Sequence, residues 1–165
     1  MKIQYMRVLE NLPHKGWHVQ LQPTPKAVPA FINLRYDWIP TDLRSFVEVA
    51  DSVVSPDEKS WFITSREISS DSEAAFSWNQ WEIDSLEAAG NNLQWKQKIW
   101  DFWDNHFTIM MSLKSGYAFF AIQKSDLAIV QGEEPVYEAT TKIAGSFLDF
   151  LKSIQDGDPR LERWI

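Results

Sequence analysis

The 165-residue sequence contains no cysteine. A disulfide framework is therefore excluded, and so is any site that needs a thiolate, such as a zinc ribbon, an iron–sulfur cluster or a cysteine nucleophile. A chain of this length can fold without such cross-links, because it buries about 70% of the surface that the unfolded chain exposes. We therefore expect one domain over residues 1–165, and the cytoplasm is the natural location for a protein without cysteine.

Basic residues are in the minority. The chain has 16 Lys and Arg against 23 Asp and Glu, which gives a net charge of −7 at pH 7. The resulting field repels phosphate backbones and anionic lipid surfaces. We therefore expect no nucleic-acid ligand, whereas a basic protein partner is compatible with this charge.

Long apolar runs are also missing. No stretch approaches the ~20 apolar residues that a membrane helix needs, so we expect no membrane association. Residues 1–7 interrupt their apolar positions with charged and polar side chains, and this pattern does not predict a signal peptide.

The usual motifs of nucleotide-binding and hydrolytic enzymes do not occur in the sequence. His14 and His18 would share one face of a helix, but Gly16 between them argues against that helix. Asp101 and Asp104 lie one helical turn apart and could form a carboxylate pair, although this spacing is more typical of solvated residues. We therefore predict that the protein is not an enzyme and has no catalytic residue, metal or cofactor.

The last third of the sequence contains its clearest secondary-structure signals. Two apolar runs, 107–113 and 117–122, flank a short polar and glycine break that is typical of a turn. A third run covers residues 127–130, and apolar side chains recur at steps of three or four over residues 136–154. The pattern predicts three strands followed by one long amphipathic helix over 136–154, with Gly157 beyond its end.

Weaker signals precede this region. Residues 23–40 carry four of the eight prolines, and this density favours an extended crossing segment. Asn92 is a suitable N-cap for the helix that follows it. The other predicted elements are a helix over 1–12 with Ile3, Met6 and Val8 or Leu9 inward, a half-buried strand over 16–22, a helix from Pro40 to Ala50, a turn over 55–59, a buried strand over 61–63 and a helix over 93–105.

Residues 67–94 form an unusual segment. It contains six acidic residues and no lysine or arginine, and two of the nine tryptophans lie in it at helical spacing. Aromatic anchors inside a polar rim are typical of protein interfaces. We therefore predict a contact surface for a protein partner here, formed by Trp78, Trp81, Glu82, Asp84 and Glu87. The alternative is an acidic excursion whose two indoles pack back on the body of the protein.

Three stretches carry a family resemblance. They are Ile-Pro-Thr-Asp-Leu-Arg-Ser-Phe at 39–46, Gly-Tyr-Ala-Phe-Phe-Ala-Ile at 116–122 with Ala-Ile-Val at 128–130, and Ala-Gly-Ser-Phe-Leu-Asp-Phe-Leu at 144–151. Together they resemble the SUKH superfamily, which includes yeast regulators of cell-wall synthesis and bacterial toxin-immunity proteins. The sequence departs from the family pattern after its first core helix, where Ala50-Asp51 replaces the usual Asn-Gly.

The resemblance implies an α+β domain with a central, largely antiparallel sheet and helices packed around it. It also implies a non-enzymatic protein-binding module, typically an immunity protein that neutralises a cognate toxin by binding, here possessing an acidic surface for a basic toxin domain. Two alternatives stay open. One is a small-ligand-binding protein or enzyme with a pocket near Trp95, Trp100 and Trp103, and the other is a regulatory scaffold of a cell-wall pathway.

Overall fold

The centre of the fold is an antiparallel sheet of seven strands in a computed structural model that describes residues 3–69 and 76–165. The strands are β1 (His18–Leu21), β2 (Ala50–Val54), β3 (Ser60–Phe62), β4 (His106–Ser112), β5 (Ala118–Gln123), β6 (Ile129–Glu133) and β7 (Val136–Ala144). Strands that follow each other in the chain are neighbours in the sheet, and each pair is antiparallel. β1 and β7 are therefore the two edges.

Helices cover both faces of this sheet. They are α1 (Gln4–Asn11), α2 (Ala30–Arg35), α3 (Thr41–Val49), α4 (Ser65–Ile68), α5 (Gln80–Ala89), α6 (Leu93–Asp104) and α7 (Phe147–Asp156). α1, α3 and α7 pack together on one face, while α5 and α6 pack on each other over the opposite face. The predicted α+β fold, with a central antiparallel sheet and a C-terminal helix, is confirmed.

β5 shows why its sequence is an unbroken apolar run. The ring of Phe119 lies 5.3 Å from Trp81 of α5 and 5.0 Å from Trp103 of α6. The next residue, Phe120, points to the other face, where its ring lies 5.0 Å from Phe150 of α7. A strand that is buried on both faces needs apolar side chains at every position.

Several of the local predictions are confirmed. α3 begins after Pro40 and buries Leu43, Phe46 and Val47. α6 begins after Asn92, whose side chain accepts a hydrogen bond from the backbone N–H of Trp95. α7 ends at Gly157, which adopts the left-handed conformation that glycine tolerates best.

The predicted helix over 136–154 is wrong in its first half. Residues 136–144 form the edge strand β7, and α7 begins only after Ser146, whose hydroxyl accepts a hydrogen bond from the backbone N–H of Asp149. Thr140, Thr141 and Ile143 are β-branched and favour a strand. The strand pairs with β6 along one edge and leaves most of its side chains exposed.

Two N-terminal predictions also need correction. The segment over 23–40 is not extended throughout, because it contains α2, which buries Ile32 and exposes Phe31 and Leu34. The N-terminal helix is confirmed as α1 and buries Val8 and Leu9, but Ile3 is exposed. Within residues 3–69 and 76–165, none of the helices combines the length and the apolar character that a membrane span requires.

Candidate functional site

The two predicted anchor residues lie in the core rather than on the surface. Trp81 is fully buried, and its ring stacks on Tyr117 at a centroid distance of 4.9 Å. Trp78 is also buried and contacts the rings of Tyr36 and Phe107. The helical spacing of the two indoles therefore reflects packing of α5 against the sheet, and neither indole can serve as an anchor for a partner.

Glu82 is buried as well and is held by an ion pair. Arg35 of α2 donates to both of its carboxylate oxygens, at 2.7 and 2.9 Å, and also donates to Asp104 of α6 at 2.8 Å. Burial disfavours the charge on Arg35, but the hydrogen bonds to Glu82 and Asp104 outweigh this and raise the pKa of the guanidinium. Arg35 thus joins α2 to α5 through Glu82 and to α6 through Asp104, and Glu82 is not part of an accessible surface.

The other two predicted contact residues remain accessible. Asp84 is half-buried and accepts a hydrogen bond from Gln80 through Oδ1. Glu87 is exposed and lies beside Lys96 in a shallow depression between α5 and α6. Residues 70–75 of the predicted acidic excursion lie outside the described residues.

The most distinctive concave surface lies between α5, α6 and the edge strand β7. It consists of two adjoining cavities that share Trp95 and Glu138, and we call it the α6–β7 groove. One cavity, of about 340 Å³, is lined by Trp95, Lys98, Ile99, Phe102 and Glu138. The other, of about 220 Å³, is lined by Asp84, Ser85, Ala88, Trp95, Pro135, Tyr137 and Glu138.

Trp95 occupies the centre of the groove because of the way α6 begins and packs. The Asn92 cap places Trp95 in the first turn, and α6 buries only Ile99 and Trp103 fully. The side chain of Trp95 is therefore 46% exposed, more than that of any other tryptophan in the chain. β7 has no strand on its outer side within the described residues, so the groove is open along this edge.

Carboxylates and phenols border the α5 side of the groove. Asp84 and Glu138 line the smaller cavity from α5 and β7. The hydroxyl of Tyr137 donates to Glu134 at 3.2 Å, and the buried hydroxyl of Tyr117 has no hydrogen-bond partner among the described residues. Burial, reinforced by the neighbouring carboxylates, raises the pKa of both phenols, so both stay neutral at physiological pH.

This arrangement is suited to binding a cation. An accessible indole face and carboxylate oxygens both attract ammonium and guanidinium groups. Only part of the predicted aromatic pocket exists, since Trp95 lines the groove while Trp103 is buried against Phe119 and Trp100 lies outside the lining. The wall that β7 contributes to the groove is not predicted from the sequence, because residues 136–144 match a helical period.

The other acidic and histidine candidates do not converge on a cleft. Asp101 accepts a hydrogen bond from Gln97, and Asp104 accepts one from Arg35. His14 lies in the turn after α1, and His18 lies in β1. In the part of the chain that the structure describes, no group of three or more His, Asp and Glu side chains is placed to hold a metal ion.

A further cavity of about 340 Å³ lies where α7 ends. It is formed by the last turn of α7 and the residues after it, and Asp158 in its lining is paired with Arg160 at 2.7 Å. None of the described residues that line it is aromatic. The α6–β7 groove is therefore the stronger candidate for recognition of a partner.

Comparison of the chain with protein-family models, with curated proteins and with solved structures finds no match. The resemblance to the SUKH superfamily thus stays a prediction that depends on the three stretches of sequence described above.

Proposed function

We propose that the protein is a non-enzymatic protein-binding module of the immunity type, which neutralises a basic toxin partner by binding it through the α6–β7 groove. The observation that carries the proposal is the accessible indole of Trp95, which lines the same cavity as the carboxylates of Asp84 and Glu138. Interfaces commonly concentrate their binding energy in such an aromatic residue within a polar rim. The SUKH resemblance and the net charge of −7 support the same function.

The proposed contact surface differs from the one that the sequence predicts. Asp84 belongs to both, Glu87 lies outside the groove, and Trp78, Trp81 and Glu82 are replaced by Trp95, Tyr137 and Glu138 as the residues a partner can reach. A charge reversal at Glu82 would break a buried ion pair and so cannot test the interface. Charge reversals at Asp84 and Glu138 can.

The experiment is growth rescue by co-expression with the proposed toxin partner, sought as the product of the neighbouring gene. Wild type should restore growth. Trp95→Ala combined with Glu138→Lys should abolish rescue at equal expression level, because the variant removes the indole and reverses a carboxylate at the same site. The matched control combines Trp100→Ala with Asp156→Lys, which changes an indole that is 38% exposed and an exposed acid outside the groove. Rescue by the groove variant as complete as by wild type would contradict the proposal.

A second function has one observation in its favour. The larger cavity of the groove, about 340 Å³, reaches the lower end of the ~300–1,000 Å³ range of small-molecule sites. A metabolite retained in native mass spectrometry of the purified protein, and lost in Trp95→Ala, would favour a small-ligand-binding protein over an immunity protein.

A further inference from the structure

We propose that the smaller cavity of the α6–β7 groove binds one arginine side chain of the protein partner. This inference depends on the proposed function and adds the chemical group that the site recognises. It follows from three features of the cavity: an aromatic side chain, two carboxylates from different elements, and a size that suits one side chain.

The aromatic face is supplied by Trp95. Its side chain is 46% exposed and lines both cavities, so a flat group that enters from solvent can lie against the indole. A guanidinium group stacks on indole faces through cation–π and planar contacts. Tyr137 lines the same cavity and is only partly buried.

The two carboxylates come from different elements, Asp84 from α5 and Glu138 from β7. Gln80 donates to Oδ1 of Asp84 at 2.9 Å, and among the described residues no donor contacts its Oδ2 or the carboxylate of Glu138. Ser85 is the remaining polar side chain in the lining. Both carboxylates therefore have acceptor capacity for a cation placed between them.

The charge along the groove gives the occupant an orientation. Lys98 lines the larger cavity and has no part in the lining of the smaller one, whereas Asp84 lines only the smaller one. A cationic head is thus attracted to the α5 side and repelled from the other end. Glu134 lies close by, where it accepts the hydrogen bond from Tyr137, and adds negative potential.

Arginine fits these features better than lysine does. Its planar guanidinium can stack on Trp95 and direct its donors to two carboxylates at once, whereas a lysine ammonium is a compact point charge with stronger hydration. The cavity volume of about 220 Å³ has room for a single side chain.

The test is an NMR titration of the indole N–H signals with acetyl-arginine-amide. Acetyl-citrulline-amide is the neutral isostere, acetyl-lysine-amide is the cationic alternative, and Trp95→Phe assigns the Trp95 signal. We expect a saturable shift of the Trp95 signal with the arginine compound and none with citrulline. Asp84→Asn and Glu138→Gln should each weaken binding about 10-fold, the order of one charge-assisted hydrogen bond. Asp156→Asn, an exposed control on α7, should leave it unchanged.

Equal shifts with citrulline, equal affinity for the lysine compound, or no response of the Trp95 signal would overturn the inference. Growth rescue separates this result from the proposed function. Rescue that depends on the groove, together with no arginine binding, contradicts only the arginine site. If rescue does not depend on the groove and arginine does not bind either, the proposed function itself is contradicted.

Discussion

At the scale of single residues, the environment of a side chain decides its role more than its type does. Glu82 and Glu87 are both acidic residues of α5, yet Glu82 is 6% exposed and paired with Arg35, while Glu87 is exposed. Trp81 and Trp95 differ in the same way, since the first is in the core and the second is on the surface. These contrasts define which substitutions report on stability and which report on binding.

Glu82→Ala should destabilise the fold. The substitution leaves Arg35, whose side chain is 25% exposed, without its bidentate partner. Loss of one partner of a largely buried ion pair costs about 2–3 kcal/mol when some solvent reaches the remaining charge. Urea denaturation at pH 7 measures the change, and Glu87→Ala on the same helix should stay within about 0.5 kcal/mol of wild type. Equal stability of the two variants would contradict the structural role of Glu82.

His106 should make stability depend on pH. Burial lowers its pKa below the usual 6.5 and outweighs the hydrogen bonds to the Phe102 carbonyl and to Gln123. The unfolded chain therefore binds a proton more readily than the native one, so the stability that His106 contributes is present above pH 6.5 and is lost as the pH falls through its lowered pKa. His106→Gln should reduce the loss of stability between pH 7 and pH 5.5, measured by urea denaturation. If the variant and wild type lost the same free energy of unfolding between these two pH values, His106 would not be the group responsible.

At the scale of secondary-structure elements, the close approach of β6 and β7 beside the groove depends on Gly132. A Cβ at this position would lie 2.5 Å from Cζ of Phe119 and 2.6 Å from the carbonyl oxygen of Tyr137. The backbone oxygen cannot move without displacing β7 itself. Gly132 therefore fixes the position of the strand that carries Tyr137 and Glu138.

Gly132→Ala should destabilise the protein by about 2–3 kcal/mol, as expected when extra volume is forced into a packed core. Thermal or urea denaturation gives the value. Gly145→Ala is the matched control, because its nearest neighbour, Oδ2 of Asp149, would lie at an ordinary 3.7 Å. If Gly132→Ala were as stable as Gly145→Ala, the packing of β7 on Gly132 and Phe119 would be wrong.

How far the sequence predicts an element depends on how strongly its burial pattern distinguishes helix from strand. The sequence predicts α3 well, because Pro40 marks its start and its apolar residues recur only at the steps of three and four that a helix requires. β7 was missed because its side chains are mostly exposed, so its few apolar residues matched a helical period by chance. For the same reason the sequence predicts Trp95 as a pocket residue but not the wall of the groove that β7 forms.

At the scale of the whole molecule, the sheet has a helical layer on both faces and the described surface residues are mostly acidic or neutral. The predicted fold class agrees with the structure, because the central strands β4, β5 and β6 are apolar runs joined by short turns, which the sequence shows clearly. Of the residues predicted for the contact surface, Asp84 lines the groove, whereas Trp78, Trp81 and Glu82 are buried. The burial of Trp78 and Trp81 is not predicted, because sequence alone cannot distinguish a buried indole from an exposed one.

The most direct test is isothermal titration calorimetry between this protein and the proposed basic toxin partner, sought as the product of the neighbouring gene, at low and at physiological salt. We predict that wild type binds, and that Trp95→Ala with Glu138→Lys weakens binding at least 100-fold (about 3 kcal/mol) and reduces its salt dependence. The control that carries Trp100→Ala and Asp156→Lys should bind within about 3-fold of wild type. Equal loss of affinity in both variants, or none in either, would contradict recognition through the α6–β7 groove.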